Sequence, residues 1–474
     1  MTHGNGHVSA APSNPLKEVV AGGYCVGCGI CHAASDARIP IVLDPHGCFQ
    51  ADHAAIANLS ADVAARAATA CPFADGGSNE DRIGRARYGE NSAWDVRLGF
   101  YLDLCVGSVA EGDYRAKGAS GGIITWILAE LLRQGRIDAA IHVRKVNHPA
   151  DGILFRYGVS RSVEEIQSGA KSRYYPIEAS EVLRQLKEQP GRYVFVGLPC
   201  FVKAVRRLAE QDPVVNERLA FCIGLVCGHL KSTAYADCFA WQAGIPPGKL
   251  EEVDFRVKLP NRVSSDYGVR VRGAGIDATR PARQLLGAYW GYNFFRYPAC
   301  DYCDDVFAET ADLSVGDAWL PEFERDSRGT NVIVVRHPEL RELMEMAGRE
   351  ERLDLTPATP DQLAASQRGG LRDRREGLAY RLYLKRERRV WAPSKRVEPS
   401  RQLERGRRRL YKRRSATGAA SHGCWQNAVR RQDFDWFASR MRSHIRKIQE
   451  SNMSLFQRVT ERLRAALRRL LGRS

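Results

Sequence analysis

The sequence predicts an α/β fold, α+β over the whole chain: a small cysteine-rich module, an α/β domain and a basic helical tail. Three observations predict it. Short apolar runs at 139–143, 193–196 and 220–226 alternate with helical patterns at 123–133, 179–188, 201–210 and 233–243. The last two runs lead into a glycine and a cysteine, as strands do when a sheet carries a site at their ends. Three cysteines fall within seven residues at 25–31. The basic excess is confined to the C-terminus: residues 371–474 hold 30 Lys+Arg and 9 Asp+Glu, against totals of 71 and 55.

The elements follow in order. Residues 1–23 read as a disordered lead, 24–83 as the cysteine-rich module with one Ala-rich helix over 54–70, and 84–370 as the α/β domain. The stretch 371–433 reads as an extended basic linker, because it is Arg-dense and holds Pro393 and Pro399. Residues 434–474 read as a helix. With 474 residues, 44% of them hydrophobic and 27% charged, a disordered, collagen-like or disulfide-knotted chain is excluded. No run of eighteen apolar residues marks a membrane span, and residues 1–15 lack the apolar core of a signal peptide, so a cytoplasmic protein is expected.

In such a compartment, thirteen cysteines at short spacings point to metal or redox chemistry. Cys25, Cys28 and Cys31 form a CxxCxxC loop, with Gly27 and Gly29 free to take the φ values that turn backbone amides toward sulfur. Three thiolates on a loop and a remote fourth followed by proline hold a 4Fe-4S cluster in ferredoxins, and Cys71-Pro72 supplies the fourth. Cys48 competes for that place. A zinc site, which usually takes two separated pairs of ligands, and a redox disulfide are the alternatives.

Cys300 and Cys303 form a CxxC, and Cys200 and Cys227 stand at strand ends; spacing alone leaves zinc, redox and cluster readings open for these four. Cys222 lies mid-strand and reads as core, and Cys105, Cys238 and Cys424 as structural. The loop Gly118-Ala119-Ser120-Gly121-Gly122 feeds the apolar helix over 123–133, an arrangement that suits an anion or a plain turn with Ser120 as cap. Lys171, Ser172, Arg256 and Lys258 lie in further segments that mix cations with aromatics or place two cations on one strand face.

In this order the segments CVGCGIC (25–31), ACPF (70–73), GASGG (118–122), SGAKSRYY (168–175), GLPC (197–200), IGLVCGH (223–229), DFRVK (254–258), CDYC (300–303) and ADLSVGDAW (311–319) resemble the coenzyme F-420 hydrogenase/dehydrogenase beta-subunit family, which includes 7-hydroxymethyl chlorophyll a reductase. The resemblance covers about two-thirds of the chain. It implies a ferredoxin-like 4Fe-4S module and an α/β domain that binds FAD. It implies Cys200, Cys227, Cys300 and Cys303 as ligands of a second 4Fe-4S cluster, and Ser120, Gly121 and Gly122 as flavin contacts. Lys171, Ser172, Arg256 and Lys258 match further family positions. The implied activity is an oxidoreductase that relays electrons between a ferredoxin-like donor, a partner redox subunit or coenzyme F-420 and a small organic substrate. An electron-transfer subunit serving a separate catalytic chain and a non-redox scaffold are the competing readings. His229 is a candidate proton donor or a hydrogen-bonded neighbour of the cluster. The family loop often reads Ser-Ser-Gly-Gly where this chain has Ala119-Ser120, and the tail has no family counterpart.

In the tail, Ile445, Ile448, Phe456, Val459, Leu463, Leu467 and Leu470 recur at helical steps among arginines. A basic amphipathic helix suits the anionic inner face of a membrane or docking on its own domain. No aromatic stacking platform accompanies the charge, which argues against nucleic acid.

Overall fold

The structure, a computed structural model, describes residues 14–147, 149 and 151–453. Its centre is an eight-stranded mixed sheet in the order Leu353–Pro357, Asp103–Val109, Asn331–Val335, Leu313–Asp317, Leu219–Leu225, Tyr193–Gly197, Ala139–Lys145, Phe155–Ser160. The strands from Leu313–Asp317 to Ala139–Lys145 run parallel, and antiparallel strands flank them. Tyr193–Gly197 and Asn331–Val335 are buried along their whole length, as continuous apolar strands covered on both faces should be. The helices and strands expected within the α/β domain appear within two residues of their predicted ends.

One face of the sheet packs on the helices Ile123–Arg133 and Pro338–Arg349 through Trp126, Ile127, Leu340 and Leu343. The other packs on Ser180–Glu188, Pro199–Ala209 and the cysteine-rich module. Ile30, Cys28, Ala67, Phe195, Val202, Phe295 and Trp425 belong to one continuous apolar cluster. The module therefore has no core of its own; it completes the core of the sheet.

Three expectations are corrected. Residues 15–21 of the supposed disordered lead form the helix Pro15–Ala21: Asn14 caps it, proline starts it, and Leu16 and Val19 are buried. Residues 1–13 lie outside the described residues. The Ala-rich helix is two helices, His53–Ala57 and Ala61–Ala70, parted at Asn58.

The supposed linker is largely helical: Arg368–Arg372, a π-helical turn Asp373–Gly377, Leu378–Glu387, and the 27-residue helix Arg405–Arg431. Arginine is a good helix former, and the buried stripe of the long helix includes Thr417, Gly418, Ser421 and His422, which a search for apolar residues passes over. Pro393 and Pro399 lie between helices, where the chain is irregular. The next helix, Phe434–Gln449, buries Phe437, Ala438, Met441 and Ile448, with Phe437 stacked on Phe295 and edge-on to Trp425. Its apolar side is thus turned to its own domain instead of a bilayer; Phe456, Val459, Leu463, Leu467 and Leu470 lie outside the described residues. Among the described residues no helix is long and apolar enough to cross a membrane.

Beside the strand Leu313–Asp317, Asp312 accepts hydrogen bonds from Arg206 (2.5 Å), the Cys222 amide (2.6 Å) and Tyr88 (3.0 Å). Burial pushes its carboxyl up, but Arg206, Arg87 and the Cys222 amide outweigh this and hold it below the usual range. Asp312→Asn is expected to cost about 3–5 kcal/mol in denaturant melts, because it leaves Arg206 buried without its countercharge. The wild-type carboxylate's contribution is complete above its unfolded pKa of about 3.9 and is lost as pH falls through the lower folded value.

Candidate functional site

The CxxCxxC loop is shaped by its glycines. Gly27 has φ 65°, and a Cβ there would lie 2.2 Å from the Phe49 carbonyl oxygen, so the loop closes on the strand Phe49–Ala51. The Cys25 sulfur accepts from the amides of Gly27 and Ala51, both at 3.4 Å. Amides of Ile30, His32, Phe73 and Ala74 likewise point at Cys28, Cys31 and Cys71. The charges acting on Cys31 come from Cys28, Cys25 and Cys71. Those acting on Cys48 come from Asp44 and Cys300, with the Tyr297 hydroxyl hydrogen-bonded to it. The fourth thiol facing the loop is thus Cys71. Burial pushes Cys25 up to about 11 and Cys28 and Cys31 higher, so these thiols ionise only against a bound cation.

The second quartet is gathered from strand ends. Cys200 opens the helix Pro199–Ala209 after the strand Tyr193–Gly197, Cys227 follows Leu219–Leu225, and Cys300 and Cys303 lie on and just after the 3-10 turn Pro298–Tyr302. Cys200 feels Cys303, Cys227 and Cys300, and next Cys28 of the first quartet, so the two sets are neighbours. The Cys300 sulfur accepts from the Leu230 amide at 3.2 Å. Cys222 is apart from both sets, in the core. Two quartets of buried and half-buried thiols, met by backbone amides, fit the donor set of iron–sulfur clusters. Among the described residues no three His, Cys, Asp or Glu side chains are gathered as ligands of a single metal ion are.

A cavity of about 240 Å³ opens at the carboxyl ends of the parallel strands, where such sheets bind ligands. Ser120, Gly122, Lys171, Ser172, Cys227, His229, Trp290 and Asn331 line it. Cys227 thus belongs both to a quartet and to the cavity wall. Gly122 takes φ 85° and starts the helix Ile123–Arg133 with no side-chain cap, leaving amides free at its positive end. Gly121 packs behind the wall: a Cβ there would meet the Asn331 side-chain oxygen at 2.6 Å and the Gly107 carbonyl at 2.8 Å.

Two expected anion binders act elsewhere. Arg256 is buried and donates to Asp317 (3.0 and 3.1 Å), Tyr174 (3.2 Å) and the Ala119 carbonyl (3.3 Å). Lys258 donates to the carbonyls of Arg115 and Ser120. Together they hold the Ala119 and Ser120 carbonyls of the loop. Lys171 is paired with Asp254 at 3.2 Å and borders a second hollow of about 200 Å³, lined also by Arg173, Lys145, Arg270 and Arg272.

Among the described residues, His229 Nε2 and the Asn331 side-chain oxygen are buried without a hydrogen-bond partner, and both residues line the cavity. Burial, then Lys231 and nearby arginines, push His229 well below its ordinary range, so it is a neutral imidazole at pH 7. These features fit a flavin.

Sequence reasoning missed three residues. Trp290 packs on His229 with ring centres 4.5 Å apart. The buried Arg374 acts on Cys303, Cys227 and Cys300; Lys395 acts on Cys71. No motif marks Trp290, and both cations lie in the Arg-dense stretch taken for a linker.

Two family models match, both of the coenzyme F420 hydrogenase/dehydrogenase beta subunit: the model of its N-terminal part over residues 104–184 and that of its C-terminal part over 191–361. The chain is 23% identical to the F subunit of the F(420)H(2) dehydrogenase of Methanosarcina mazei, over 68% of this chain and 81% of that one. It is 24% identical to the coenzyme F420-dependent sulfite reductase of Methanocaldococcus jannaschii, over 72% of this chain and 48% of that one, so it spans about half of that relative's length. A chain of the F420-reducing [NiFe] hydrogenase complex from Methanosarcina barkeri superposes with a TM-score of 0.46 at 19% identity, over 60% of this chain and 94% of that chain.

Gly122→Ala is expected to lower stability by about 1–2 kcal/mol, since a Cβ there would meet the Tyr114 carbonyl at 2.7 Å in a left-handed backbone. An unchanged denaturation midpoint would count against this loop geometry.

Proposed function

Because the chain belongs to the coenzyme F-420 hydrogenase/dehydrogenase beta-subunit family, we propose that it is an iron–sulfur flavoprotein oxidoreductase that relays electrons between a one-electron donor, ferredoxin-like, or coenzyme F-420 and an organic substrate. The observation that carries the reading is Cys227: it stands in the second quartet and in the wall of the cavity, with the first quartet adjoining the second through Cys28 and Cys200. Bound there, two 4Fe-4S clusters supply one-electron steps and FAD gathers two electrons for an organic acceptor.

The protein's part is to hold and orient. Cys25, Cys28, Cys31 and Cys71 hold one cluster; Cys200, Cys227, Cys300 and Cys303 hold the other. The amides at the start of the helix Ile123–Arg133 take an anionic group, with Lys171 and Ser172 beside it. Arg256 and Lys258 fix the loop that presents those amides. Asn331 and the neutral His229 form part of the cavity wall. Trp290 covers His229 and keeps water from this end of the cavity.

The relatives' names, a dehydrogenase component among them, favour a second reading, in which the chain passes electrons to a separate catalytic partner. Turnover of a small molecule by the purified chain alone separates the two.

Anaerobically purified protein is expected to carry about eight iron, eight sulfide and one FAD per chain, with cluster and flavin absorption. About four iron would reduce the second quartet to structural thiols, and zinc without flavin would make the chain a scaffold. Cys28→Ser should halve the iron and keep the FAD; loss of the flavin with it would sink the division into module and flavin domain.

A further inference from the structure

The segment 373–396 lies beyond the residues that the family models match and straps both cysteine loops. At its start, Asp373 accepts from Arg296 (3.0 Å) and Arg381 (3.2 Å). These two arginines also donate to the carbonyls of Cys300 and Asp301, at 2.5 and 2.6 Å, so the strap is tied to the backbone of the CxxC loop. Arg374, 2% exposed, follows Asp373 in the π-helical turn, and its charge acts on Cys303, Cys227 and Cys300. Such turns recur at functional sites.

Further on, Trp391 accepts from the Tyr24 hydroxyl at 2.9 Å, one residue before Cys25, and the Ser394 amide donates to Asp75 at 2.8 Å, close after Cys71. Lys395, with its side chain 4% exposed, has its ammonium 4.5 Å from the centre of the Phe73 ring and 3.8 Å from Asp304. One strap thus carries a buried cation to each quartet.

Resting on the two-cluster reading above, we propose that Arg374 and Lys395 set the reduction potentials of the two clusters separately, Arg374 the second and Lys395 the first. A fixed positive charge beside the thiolates favours the cluster state with one more electron, and a hydrogen bond to sulfur acts the same way. Coulomb attraction falls with distance, so each acts most on the quartet it adjoins. Asp304 offsets part of the Lys395 charge, which makes Arg374 the stronger of the two.

The test is an EPR-monitored redox titration of the whole protein as wild type, Arg374→Gln, Arg374→Lys and Lys395→Gln, with iron and sulfide measured on each. Signals are assigned with Cys28→Ser, which keeps only the second cluster. Arg374→Gln is expected to lower the second midpoint so that the reduced-to-oxidised ratio at a fixed potential falls about tenfold, about 59 mV for one electron, and to leave the first in place. Arg374→Lys should restore most of the shift, as a purely structural role would not. Lys395→Gln should lower the first midpoint by less and leave the second. Unmoved midpoints, equal movement of both, or loss of a cluster in a variant would overturn the proposal. Wild-type protein without iron and sulfide would overturn the two-cluster reading instead.

Discussion

Eight thiols set into the protein, five of them buried and three half-buried, are the constraint on which the rest of this structure depends. A thiol in such surroundings resists ionisation, and a thiolate there needs donors and countercharge at short range. The chain supplies both from its backbone outward. Amides turned inward by the loop at 25–31 face the first set; the Leu230 amide faces Cys300. Cations from two distant parts of the sequence, Arg207 on one helix and Arg374 and Lys395 on the strap, close the remaining sides. The helical tail is best understood as part of this enclosure: its arginines turn inward to Asp373, Glu309 and the cysteine loops as well as outward.

The same constraint decides the layout of the core. The cysteine-rich segment packs its Ile30 and Ala67 into the apolar layer that Phe195 and Val202 begin, so the sheet and the segment are one body. Tyr24 and Tyr302, each next to a cysteine of a different set, meet edge to face at 4.8 Å. The two sets are thereby held at a fixed separation by ring contact and not by a hinge.

Much of this was legible in the residues. The apolar runs at 193–196 and 220–226 fix two central strands, and the family motifs contain both quartets and the loop before Ile123. Proline after Cys71 pointed to the thiol that the fold also turns toward the CxxCxxC loop, while Cys48 faces Asp44 and Tyr297. The tail was not legible, for a physical reason. Its helices bury arginine, threonine, serine and histidine in a polar lining against Asp373 and the 293–301 loop, so hydrophobic periodicity is weak where packing is close. At Arg256 and Lys258 a strand with two cations reads as a ligand surface, yet in the fold Arg256 is held by the Asp317 carboxylate and Lys258 by the carbonyls of Arg115 and Ser120. Only the fold reveals which donors are already satisfied.

The bond between Tyr24 and Trp391 joins residues 367 positions apart. At about 5–20 residues per second, a ribosome needs roughly 20–70 s to make the chain between them. Throughout that interval the CxxCxxC loop has been synthesised but its cover has not. The time for which those thiols stand without this cover is therefore set by translation, and it ends when the C-terminal segment folds down.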